Sequence, residues 1–194
     1  MGRGGSSETH QYCEPSQIDV PGNRYSQLKI ALLLLFVFIN VSRSSDAAEN
    51  LPVTPAETLS GQKLQFPTAL TGKLSVCVFG FSKEAGDRTK TWMTRLNQDG
   101  MNAWSIANLE KAPAMVRGMI RGSMRKGTPA PQQDRSLIMT KDETAWKRAL
   151  RSTQDNLPVV VLLDPSGRVL WTYEGVFRSD AYGQLKSNLA AAPK

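Results

Sequence analysis

Leu157-Pro158-Val159-Val160-Val161-Leu162-Leu163-Asp164-Pro165-Ser166-Gly167-Arg168-Val169 carries the most structural information in this chain. Val159 to Leu163 is apolar at every position, the pattern of a strand buried on both faces rather than one with a wet side. Asp164 to Gly167 has Pro at its second position and Gly at its fourth, a composition suited to a tight turn. Val169, Trp171 and Tyr173 then alternate with Leu170 and Thr172, which predicts an antiparallel return strand.

Upstream, Leu74 to Phe81 (LSVCVFGF) is a second run of the same kind, bounded by Gly72 and Ser82. Ser82 can cap a helix running to about Gln98, with Trp92, Met93 and Leu96 on one face and Gly100 as its stop. Trp104 to Leu109 reads as a strand. Pro113 suits the first turn of a helix reaching about Lys126, closed by Gly127 and Pro129. Ala130 to Gln133 reads as a loop and Leu137 to Met139 as a brief strand. Asp142 opens a helix with Trp146, Ala149 and Leu150 on one face, and a last helix covers about Ser179 to Ala190. Leu64 and Phe66 suit a short edge strand ended by Pro67. The order predicts an α/β fold: a central mixed β-sheet flanked by helices on both faces.

The chain has 194 residues, 40% hydrophobic and 21% charged, with a net charge of +7. That is an ordinary globular balance with material for one core. Ile30 to Val41 (IALLLLFVFINV) is almost wholly apolar, follows Arg24 and Lys29, and precedes the small residues Ser45-Asp46-Ala47. It is short for a membrane span, which needs ~20 apolar residues, and reads as the apolar region of a secretory signal cut after Ala47. The expected organisation is a leader at 1–47, an extended lead-in at 48–61 and a folded domain at 62–194. Export to a periplasmic or extracellular space follows, with a single N-terminal membrane anchor as the alternative.

The leader contains Cys13 and His10, so a cleaved chain would keep one thiol, Cys77, and no imidazole. That inventory excludes an intramolecular disulfide, a His-based triad and a Cys/His zinc site from the mature chain. No cofactor, metal site or catalytic residue is expected.

The stretch from Leu157 to Val169 resembles the thioredoxin superfamily, nearest its exported thiol-reductase and peroxiredoxin-like branches. The resemblance implies a thioredoxin-like fold, a cis-proline at Pro158 opening the strand, and a Cys-x-x-Cys directly after the strand Leu74 to Phe81. Here that position reads Ser82-Lys83-Glu84-Ala85-Gly86-Asp87. To within one residue, Glu84 and Asp87 occupy the cysteine positions. Over roughly residues 60–190, Arg121 to Gly127 and Asp164 to Arg168 also resemble the mitochondrial ATP-synthase assembly-factor family. Those proteins are thioredoxin-like chaperones without the cysteine pair. The chain departs from them in retaining Pro158 and in its export signal.

Each candidate site has a plain alternative. Cys77 lies between Val76 and Val78, where a thiol packs rather than reacts. Glu84 and Asp87 suit acid–base work or simply the positive end of a helix. Asn156, Leu157, Pro158 and Val159 form a possible peptide-binding edge for strand addition, with Val159 partly exposed. Arg117, Arg121, Arg125 and Lys126 make a basic helix face opposite the apolar stripe Met115, Val116, Met119, Ile120 and Met124. Such a helix can lie on an anionic membrane or grip an acidic partner; the plainer expectation puts the apolar stripe in the core and the arginines in solvent.

The function expected is that of an exported thioredoxin-fold protein without redox cysteines, a binding, chaperone or assembly-accessory module. The alternative is a divergent thiol–disulfide oxidoreductase or peroxiredoxin-like antioxidant enzyme. The expected partner is a protein of the cell envelope, with an anionic membrane surface as a second. Nucleic acid is not expected, since no aromatic-rich basic platform appears.

Overall fold

The computed structural model describes residues 51–192. The leader at 1–47 and its apolar run at 30–41 lie outside the described residues. The strands are β1 (Thr54–Thr58), β2 (Lys63–Phe66), β3 (Ser75–Gly80), β4 (Ala103–Asn108), β5 (Ser136–Met139), β6 (Val159–Leu163) and β7 (Val169–Glu174). The helices are α1 (Lys83–Gln98), α2 (Ala114–Gly127), α3 (Ala130–Gln133), α4 (Glu143–Ala149) and α5 (Ser179–Ala191). Residues 48–61, expected as a lead-in, include β1, and 130–133, expected as a loop, form the single turn α3.

One seven-stranded sheet has the order β2-β1-β5-β4-β3-β6-β7. β3, β4 and β5 run parallel, while β6 is antiparallel to β3 and β7 to β6. β1 pairs antiparallel with both β5 and β2. β3 and β6, the two apolar runs, are adjacent at the middle, and every residue of both is buried. Their register pairs Phe79 with Val159, so the end of β3 meets the start of β6.

Alternation along these strands divides the core in two. Cys77, Phe79, Val159, Val161, Ile106, Leu137 and Met139 face one side, where Trp146 of α4 and the following Leu150 cover them. Val76, Val78, Val160 and Leu162 face the other, under Trp92 and Leu96 of α1 and Ala181, Tyr182 and Leu185 of α5. Helices thus cover both faces, as the sequence pattern requires.

Local chemistry sets the boundaries. The Ser82 side chain accepts a hydrogen bond from the Ala85 N–H at 3.1 Å, capping α1. Gly100, at φ 67°, takes the left-handed conformation that ends it. After β6, Asp164 Oδ1 accepts from the Ser166 N–H, the Ser166 hydroxyl and the Arg168 N–H. Gly167, at φ 87°, completes that turn.

One expectation is corrected. Among the described residues the cis peptide bond is Phe66–Pro67, and Leu157–Pro158 is trans. Trans is the intrinsically favoured isomer, and here the Pro158 carbonyl accepts from the Gly175 N–H at 2.9 Å. The proline therefore already belongs to the pairing that continues β6 against β7.

Trp146 is fully buried between Phe66 and Phe79, with ring centroids 5.2 Å away in each case. Its indole N–H donates to the Thr54 hydroxyl, which donates in turn to Asp142 Oδ2 at 2.7 Å. Trp146→Ala is expected to cost about 3–5 kcal/mol. Thr54→Val keeps the volume but strands the indole N–H, for about 1–3 kcal/mol. Urea denaturation of both variants checks the ranking.

Candidate functional site

In open sheets with parallel strands, ligands bind beyond the carboxyl ends of those strands. Here that edge gathers the ends of β3, β4, β5 and β7, the start of β6 and the N-termini of α1 and α4. Ser82, Glu84, Asp87, Pro158 and the segment 151–157 all belong to it.

Neither Glu84 nor Asp87 is held in the way expected of a working pair. Both are exposed. Asp87 pairs with Lys90 at 2.7 Å, and that hydrogen bond, then the Lys90 charge, hold its carboxyl below the usual range. The residues placed directly where β3 passes into α1 are Ser82, the cap, and Ala85, which is fully buried. They have the same three-residue separation as Glu84 and Asp87 but lie two residues closer to the strand. Ser82 and Ala85 are both small, so the handover from β3 to α1 carries no thiol.

The edge at Asn156 to Val159 also differs from expectation. The Asn156 carbonyl accepts from Arg88 Nη1 at 2.8 Å, and the Leu157 N–H donates to the Gln154 carbonyl at 3.1 Å. The backbone pair proposed for strand addition is therefore already engaged within the domain. Pro158 is buried, and Val159 is buried rather than partly exposed. The reason is Arg88, one helical turn beyond Ala85, whose reach across the edge no local pattern reveals.

Two further acids fasten the same segment. The Glu174 carboxylate accepts from the Ser152 and Thr153 hydroxyls and from the N–H groups of Thr153 and Gln154, at 2.6–3.1 Å. Desolvation pushes this carboxyl up, but the hydrogen bonds from Thr153, Gln154 and Ser152 outweigh it and hold it below its ordinary value. Asp155 accepts from Lys147 at 2.6 Å and Lys111 at 3.0 Å, and these two contacts lower its pKa.

Behind them lies Glu143, a buried carboxylate paired with Lys147 at 2.6 Å and Lys111 at 3.0 Å. Hydrogen bonds to Glu143 and then Asp155 raise the Lys111 ammonium above its ordinary range. The Lys147 ammonium also lies 5.3 Å from the Phe81 ring centre, a cation–π distance. None of Lys111, Lys147, Glu143 or Asp155 stood out in the sequence, because they come from three separate segments. What the edge offers a ligand is charged side chains, not free strand backbone.

Cys77 is fully buried in β3, and burial pushes its thiol well above the ordinary range. It is a packing group.

The basic helix face also takes an unexpected orientation. The Arg117 guanidinium donates to the carbonyls of Ala112 and Glu110. Arg121 pairs with Glu57 at 2.7 Å, and Arg125 reaches the Ser60 carbonyl at 3.1 Å. Lys126 is exposed. No residue of α2 is buried, and Met115 and Met119 are 90% and 72% exposed. The expected arrangement, apolar stripe inward and arginines outward, is thus split: Val116, Ile120 and Met124 stay half-buried beside Arg117 and Arg121, while Met115 and Met119 face out. With three arginines finding carbonyl and carboxylate partners on the domain, Met115 and Met119 are the stripe residues left in solvent.

Glu174 supplies a pH test. A carboxyl lowered in the folded state contributes stability above its unfolded pKa, and that contribution is lost as pH falls through the folded value. Stability should therefore drop as pH falls below about 4, and Glu174→Gln should flatten that acid limb. The group is partly exposed, so the effect at neutral pH is modest, about 1 kcal/mol. Denaturant midpoints from pH 7 to pH 3 measure it. Arg88→Ala should speed hydrogen exchange at Leu157 while leaving β6 protected.

No protein-family model matches the chain, and no curated protein matches it. Solved structures do. BsSco, a member of the Sco family of cytochrome c oxidase assembly proteins, is 13% identical with a TM-score of 0.51, over 72% of this chain and 93% of that one. The thioredoxin domain of a thiol-disulfide oxidoreductase from Bacteroides vulgatus is 12% identical with a TM-score of 0.50, over 74% of this chain and 98% of that one. At such identities the likeness is one of architecture, and it agrees with the sheet order and the two helical layers. Residues 51–192 have the thioredoxin-like fold.

Proposed function

We propose that this protein is a redox-silent thioredoxin-fold module that binds or helps assemble a protein partner in the cell envelope. The observation that carries the reading is the position of the thiol. Dithiol exchange and peroxide reduction both need an accessible thiolate. Cys77 is sealed inside β3 with its thiol pKa raised, and Ser82 and Ala85 stand where β3 passes into α1.

The charged edge favours recognition over chemistry. Lys111 and Asp155 keep 67% and 55% of their side-chain surface exposed, yet both are held in place through Glu143 and Lys147. Side chains ordered before binding lose less entropy when a partner arrives. A partner chain with its own acidic and basic groups suits such a surface. The envelope location rests on the apolar run at 30–41 and the small residues before Ala48.

The purified protein should neither reduce insulin nor consume peroxide above a buffer blank. Its Cys77 thiol should react with an aromatic disulfide reagent only after denaturant is added. Cys77→Ala should cost about 1–2 kcal/mol and change neither assay. Activity in the wild type that this variant loses would establish the oxidoreductase reading instead. Cell fractionation should find a species lacking about the first 47 residues outside the cytoplasm. Intact Met1 on a membrane-bound form would establish the anchor.

A further inference from the structure

We propose that α2 docks the protein onto an anionic lipid surface, with Met115 and Met119 entering the headgroup boundary. This proposal is independent of the redox reading and concerns a different face of the domain.

The first ground is exposure. Met115 and Met119 are the two most exposed large apolar side chains among the described residues. They lie four residues apart, hence on one side of the helix. Around that ridge, an added Cβ at Gly118 or Gly122 would meet nothing within 4 Å. The flanks are therefore low, and the helix axis can approach a flat surface closely.

The second ground is charge. From Ala112 to Gln133 there is no acidic residue, while Arg117, Arg121, Arg125 and Lys126 are all cationic. Among the described residues, Glu57 is the one carboxylate that an ion pair brings to α2 itself. Lys126 and Arg125 are exposed at the C-terminal end of the helix. Methionines facing outward with cations alongside are the pattern of a helix lying in a lipid interface, and each basic residue near an anionic leaflet adds attraction.

The same charge argues against a second copy as the occupant. Two such helices facing each other would set cation against cation with no acidic residue of α2 on either side, which is repulsive. A lipid surface bearing phosphate and glycerol-type headgroups meets the requirement without a complementary protein.

The test is peroxide footprinting of the full chain, read by mass spectrometry as sulfoxide at each methionine. Met139 is fully buried and serves as the internal control. Vesicles with roughly 30% phosphatidylglycerol in phosphatidylcholine should slow oxidation of Met115 and Met119 about tenfold. Roughly 0.5 M salt should remove that protection, because screening then acts within a few ångströms. Pure phosphatidylcholine should leave both methionines unprotected, even though the apolar run at 30–41 can engage either vesicle. Arg125→Glu combined with Lys126→Glu should abolish protection with an unchanged circular dichroism spectrum. Equal protection on neutral vesicles, or none on anionic ones, would overturn the proposal. Protection that rises with protein concentration in the absence of lipid would overturn it in favour of a second copy.

Discussion

The pairing of β3 with β6 is the constraint on which the other arrangements rest. Both strands are apolar on both faces, so neither tolerates water on either side, and together they define the middle of the sheet. Their antiparallel register sets Phe79 opposite Val159. That places the start of α1 beside the segment that precedes β6. Every contact at the candidate edge, from Arg88 on Asn156 to the ring of Phe81 under Lys147, depends on this register.

The edge itself shows how a scaffold can be closed by electrostatics rather than by packing. The segment 151–157 contributes little apolar surface, and its backbone would otherwise stand open. Glu174 gathers its N–H groups, Arg88 takes a carbonyl, and Lys111 and Lys147 hold Asp155. Exposed ion pairs taken singly contribute little. Here they converge on the buried Glu143, whose charge must be paired to be tolerated at all. The network therefore acts less as added stability than as a determinant of one loop conformation.

Helix α2 illustrates a different balance. Met115 and Met119 could have been drawn inward with Val116, Ile120 and Met124 by burial, at about 25 cal/mol per Å². Arginine at three positions competes for the same side of the helix, and each finds oxygen acceptors fixed in the domain. A guanidinium with directed partners is both satisfied and half-covered. A methionine left outside incurs no unsatisfied hydrogen bond. The outcome is an apolar, cation-flanked ridge that a solvated helix has no reason to display.

Much of the fold was legible in the residues alone. Buried strands announce themselves by apolar runs, helices by spacing and caps, and turns by Asp, Pro and Gly, because these signals are local. The absence of a thiol at the start of α1 was readable from composition. Tertiary structure alone decided the rest. The isomer at Pro158, the burial of Val159 and the inward turn of Arg117 and Arg121 each depend on the packing of the folded domain. Glu57 lies far from Arg121, and Arg88 far from Asn156. Side chains that long choose among acceptors only after the sheet has brought those acceptors within reach, and periodicity along the chain holds no record of that choice.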